Sequence, residues 1–130
     1  MATIFLEPDL LRLETPGEAS AQLRHLADWG ARLVVVADSP LEAWESLEVD
    51  GLRYEPSADH GRRGDWWLTA DPESCSERPG RGVRSVLIGG TIASSTHPTA
   101  RCDIVARDLR GAVLEILSRQ AMPEATGAGT

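Results

Sequence analysis

Acidic residues stand where three apolar runs of this chain stop: Glu7 and Asp9 after IFL, Asp38 beside Ser39 after RLVVVA, and Asp71 after WWLTA. A short, continuous, β-branched or aromatic run reads as a strand covered on both faces. A carboxylate at the carboxyl end of such a strand, with a helix starting beside it, is where open α/β sheets place ligands and catalytic groups. If the first and fourth strands are neighbours, Glu7, Asp9 and Asp71 converge on one rim. Carboxylates gathered there suit Mg²⁺, a hard cation that takes oxygen ligands and keeps several waters. A plainer chemistry competes with this one. Asp71 and Ser39 each stand where they can cap a following helix, which is worth about 1 kcal/mol without any function, and Asp38 reads as a solvated loop acid.

The elements that must position these groups follow from pattern and punctuation. A first strand covers residues 3–6. Thr15, Pro16 and Glu18 have the spacing of a capping box with proline at the first helical position, and Gly30 is placed to end that helix. Residues 32–37 form the second strand, and Ser39-Pro40-Leu41-Glu42 repeats the cap, proline and acid, predicting a second helix to about Leu47. A short third strand falls at 52–54, a polar loop at 55–64 and a fourth strand at 66–70. Asp71-Pro72 then opens a third helix ending by Arg78, and residues 83–88 form a fifth strand. After a Gly, Ser and Thr-rich loop over 89–100, Val105, Leu109, Ala112, Val113, Ile116 and Leu117 mark one face of a long C-terminal helix. Alternating strands and helices imply a single doubly wound, mostly parallel, five-stranded α/β sheet over residues 1–120, with helices on both faces. Residues 121–130 read as a disordered tail.

Composition narrows the partners. A net charge of −7 argues against a nucleic-acid surface, which needs a clustered basic face. No apolar run approaches the roughly 20 residues that span a membrane, and the N-terminus has no basic stretch before Glu7, so the reading is a cytoplasmic protein. Cys75 and Cys102 are too few for a disulfide framework and suit a reducing compartment, leaving a single bridge open. Cys75 in the first turn of the third helix reads as packing, and His25, His60 and His97 share no ligand spacing. Trp66 and Trp67 alternate, one toward each layer of helices, while Trp29 and Trp44 help close helix edges. All thirteen basic residues are Arg, so no step here can use a lysine ammonium.

Laid in order, IFLEPDLL, LVVVADS, WWLTADPESC, VRSVLIGG and RCDIVARDLRGAVLEIL resemble the haloacid dehalogenase (HAD) superfamily, in particular its small, capless phosphatases. The resemblance implies a Rossmann-like sheet of order 3-2-1-4-5 and a Mg²⁺-dependent phosphoaspartyl mechanism. It puts Glu7 at the nucleophile position, Asp9 at the acid/base position, and Glu7, Asp9 and Asp71 around the metal. The chain departs from the family's pattern at each of these motifs but the last. Glu7 replaces the aspartate nucleophile and stands one methylene further from the backbone. Ala37 replaces the phosphate-binding Ser or Thr, with Ser39 two residues on. The motif lysine is absent, leaving Arg62 or Arg63 to face a phosphate with a fork rather than a point charge.

Altered nucleophile, missing hydroxyl and missing lysine together imply lost phosphoryl transfer, since that catalysis is positioning and charge stabilisation. The expectation is a HAD-like domain with a degenerate site, acting as a binding or interaction module for a small phosphorylated molecule or a protein partner. The alternative is a Mg²⁺-dependent phosphatase using Glu7 or Asp9, Asp71 and an Arg. A receiver-like signalling domain also gathers acids at strand ends. It would require an Asp after the third strand, where Glu55 stands, and a Lys after the fifth.

Overall fold

The computed structural model describes residues 2–13, 15–47, 49–56, 61–71, 82–89 and 102–128. The strands are β1 (Thr3–Leu6), β2 (Arg32–Val36), β3 (Arg53–Glu55), β4 (Trp66–Thr69), β5 (Arg84–Ile88) and β6 (Ile104–Ala106). A 3-10 turn, Pro8–Leu13, follows β1; the helices are α1 (Pro16–Trp29), α2 (Glu42–Glu45) and α3 (Leu109–Ala128). All neighbours pair in parallel, in the order β3-β2-β1-β4-β5-β6. The expected α/β class and the 3-2-1-4-5 run of strands are present, and a sixth strand extends them.

That strand is missing from the sequence reading, which counted Val105 into the C-terminal helix. Ile104 and Ala106 are buried and Val105 is exposed, the period-2 pattern of a strand too short to stand out from a helical face. The Asp108 carboxylate accepts from the Gly111 amide at 2.8 Å, so α3 starts only after it. The helix predicted over 72–78 and most of the loop over 89–100 lie outside the described residues.

At α1 the local signals agree with the structure. Thr15 Oγ1 accepts from the Glu18 amide at 3.3 Å, and Gly30 ends the helix at φ 106°, a left-handed conformation natural to glycine. The return half of the capping box is absent, because Glu18 Oε1 instead accepts from Gln22 Nε2 at 3.2 Å. At α2 they do not agree. Ser39 is exposed and does not cap; the chain stays extended through Leu41 (φ −108°, ψ 132°) and the helix begins at Glu42. Leu41 packs against the core there, and that burial outweighs a local cap.

The two sheet faces carry separate cores, as the alternation of Trp66 and Trp67 implies. Ile4, Leu6, Leu33, Val35, Trp66, Leu68, Val86 and Ile88 share one with α1 and α3, and Arg84 lies over the Trp66 ring at 5.3 Å. Phe5, Val34, Trp67 and Val83 form the other. Trp44 is buried, whereas Trp29 at the end of α1 is 41% exposed. No helix among the described residues is long and apolar enough to cross a membrane.

Candidate functional site

The strand order places a reversal in the middle of the sheet. From β1 the chain winds outward through β2 to β3, then crosses back to β4 on the other side of β1 and winds the opposite way. The carboxyl ends of β1 and β4 therefore flank a topological switch point, where adjacent connections diverge and leave a crevice. Glu7 and Thr69 stand at its two lips.

The Glu7 amide donates to the Leu68 carbonyl at 3.1 Å, carrying the β1–β4 ladder one residue past β1. Directly beyond, Thr69 is wholly buried and its hydroxyl donates to the Glu7 carboxylate. The Asp71 amide donates to the same Thr69 oxygen at 3.0 Å. One side chain thus ties the acid after β1 to the chain leaving β4. The Leu10 amide closes on the Glu7 carbonyl at 3.1 Å to start the 3-10 turn, which carries Asp9. Trp44 of α2 reaches across and donates its indole N–H to the Pro8 carbonyl at 3.2 Å, so the turn is braced from the neighbouring layer.

Of the residues picked from the sequence, Glu7, Asp9 and Asp71 lie on this rim, Glu7 and Asp71 linked through Thr69. Ser39 lies one strand over, exposed beyond the end of β2. Arg62 and Arg63 are not brought there. They lie in the turn that enters β4, whose next residue but one, Asp65, touches the start of β1. A four-residue strand, roughly 13 Å of chain, separates that turn from Thr69. Thr69 itself escaped the sequence reading. Its signal was a polar residue closing an otherwise apolar strand, where a buried hydroxyl has to find a partner.

Two further acids were also passed over. The Asp65 carboxylate is buried and accepts from the Thr3 amide at 2.9 Å and the Arg62 amide at 2.8 Å. Asp103 Oδ2 accepts from the Ser85 amide at 2.8 Å, while the Asp103 amide donates to Ser85 Oγ at 3.0 Å. Each stands immediately before a strand and caps the amide of the strand beside it. Both lie at the amino edge of the sheet, away from the crevice.

No protein-family model matches the chain, and no curated protein matches it in sequence. Among the described residues no three of His, Cys, Asp and Glu are grouped to hold a metal ion, Glu7, Asp9 and Asp71 included. The described rim is a hydrogen-bonded, braced edge of acidic character, with the Glu7 carboxylate turned onto Thr69.

Proposed function

We propose that this chain is a binding module of HAD-like descent, whose switch-point crevice no longer performs phosphoryl transfer. The observation that carries the reading is the bond from the buried Thr69 hydroxyl to the Glu7 carboxylate. Glu7 occupies the position from which such an enzyme attacks phosphorus. A carboxylate oxygen held as the acceptor of an internal hydroxyl is a poorer nucleophile and is aimed along the rim. The extra methylene of glutamate compounds this, because in-line attack depends on near-ångström placement. Arg62 and Arg63 add nothing to the rim's charge balance from the far edge of the sheet. The strand order supports the descent, since its 3-2-1-4-5 portion is the arrangement the resemblance implies.

The test is release of phosphate from p-nitrophenyl phosphate by the full chain with Mg²⁺. The expected result is no turnover above a no-protein control. Turnover that disappears in both Glu7→Gln and Asp9→Asn would overturn the reading in favour of a phosphatase. Thermal denaturation supplies an independent arm. A ligand that binds only the native state raises Tm in proportion to its saturation. A Mg²⁺-dependent rise in Tm abolished by Asp71→Asn would likewise count for the phosphatase.

A further inference from the structure

Arginine marks the amino edge of the sheet strand after strand. β2 begins with Arg32, β3 with Arg53 and β5 with Arg84, while Arg62 and Arg63 lie in the turn that enters β4. All five are exposed, and none makes an ion pair among the described residues. Because every strand pairs in parallel, these residues fall along one edge. β3 and β5 are four strand steps apart, so the row is about 19 Å wide. Four described acids share that edge: Asp28 and Asp50 are exposed, while Asp65 and Asp103 are turned onto main-chain amides. The edge is thus positive in a chain whose net charge is −7.

The opposite edge has the reverse sign. Beyond β1, β2 and β4, Asp9, Asp38 and Asp71 are exposed, and Glu7 and Glu55 are half-buried beside them; Arg107 and Arg110 lie to one side, past β6. Within one chain the length of the strands keeps the arginines from this rim. We infer that the partner of the acidic rim is the arginine edge of a second copy of the chain, stacked head to tail along the strand direction. The inference rests on the rim being a binding surface, as proposed above. A shift along the strands sets the arginine row of one copy over the rim of the next with β3, β2, β1 and β4 in the same order. The rim acids span three strand steps, about 14 Å, and so fit within the row. Arginine suits such a contact, since its guanidinium offers two parallel N–H donors to a carboxylate and sheds water more readily than an ammonium. Each copy added leaves one rim and one arginine row open, so the contact propagates unless a rotation closes a ring. Its attraction is between exposed charges and is therefore screened by salt.

The experiment is sedimentation equilibrium of the full chain. In about 20 mM NaCl the weight-average mass should climb above 14.0 kDa with protein concentration, and in about 0.5 M NaCl it should return to that value. Arg62→Glu/Arg63→Glu spoils the arginine row, and Asp9→Asn/Asp38→Asn/Asp71→Asn spoils the rim. Each variant alone should keep the monomer mass in either salt. Mixed in equal amounts they should give a species of twice that mass and none larger, because each retains one sound edge. Should a variant lose its thermal transition, the concentration and salt dependence of the parent chain decides. A parent that stays monomeric in low salt overturns the inference, as does association that persists in high salt, a folded variant that associates alone, or a mixture that stays monomeric. Phosphate release is measured separately, so a monomeric parent without turnover overturns this inference and leaves the binding-module reading standing.

Discussion

At the amino ends of the strands, acidic side chains serve the backbone: Asp65 takes the amides of Thr3 and Arg62, and Asp103 takes the Ser85 amide together with that residue's hydroxyl. At the carboxyl ends the acid is met by a side chain instead, the hydroxyl of Thr69 on Glu7. The difference is instructive because buried main-chain amides are obligatory donors that folding must satisfy. An acid that serves them is part of the fold's own accounting. An acid held by a hydroxyl is not needed for that, and its bond can be exchanged for a ligand at small cost to the sheet. Residue type alone does not separate the two kinds of acid; the sheet edge they occupy does.

The sharpest way to break the comparison is to damage the amino edge and find the fold indifferent. Gly82 enters β5 at φ 87°, and a Cβ there would lie 2.8 Å from Arg63 Cβ and 2.9 Å from its Cα. Gly82→Ala combines left-handed strain with a clash against backbone, and should cost about 3 to 4 kcal/mol in urea denaturation. Asp65→Ala leaves two amides without their carboxylate and should cost about 2 to 3 kcal/mol, with Asp65→Asn recovering part of it. Thr69→Val keeps shape and removes the hydroxyl, freeing the Glu7 carboxylate and the exposed Asp71 amide; both can turn to water at the rim, so the cost should be about 1 kcal/mol by the same measurement. If Thr69→Val proves as damaging as Asp65→Ala, the carboxyl edge is as structural as the amino edge and the contrast fails.

The smallest effect belongs to neither edge and separates them from a general pH response. Burial, and then the Glu45 carboxylate, raise the pKa of the Tyr54 phenol above its ordinary 10.0. The folded state thus favours the neutral phenol. The stability it contributes is complete below pH 10.0 and is lost as pH rises through the folded value. Urea midpoints should fall above that pH in the parent chain and fall less in Tyr54→Phe.

Much of the fold was legible because its signals are local. The Thr15 cap, Pro16 and Gly30 bound α1 within a few residues of chain, and the WW pair declares a strand with apolar cover on both sides. Where a local signal competed with burial it misled. Ser39 looked like a cap until Leu41 proved to be held extended against the core, and Val105 looked helical because a three-residue strand is shorter than one helical turn. Glu7, Asp9 and Asp71 were legible as rim acids, since each follows an apolar run. Thr69 was not, because its importance comes from a partner 62 residues away.

By itself, then, the sequence determined the class of the sheet, the ends of α1, the absence of any lysine and the acids that follow the strands. All of these depend on side-chain identity and short-range spacing. Tertiary structure alone decided that β4 returns beside β1, which puts the switch point between them. It also decided that Arg62 and Arg63 lie across the sheet from Glu7, and that the Thr69 hydroxyl meets that carboxylate. Strand neighbours and edges are settled by crossovers and by the burial of both faces at once, energies summed over the whole chain and written in no single stretch of it.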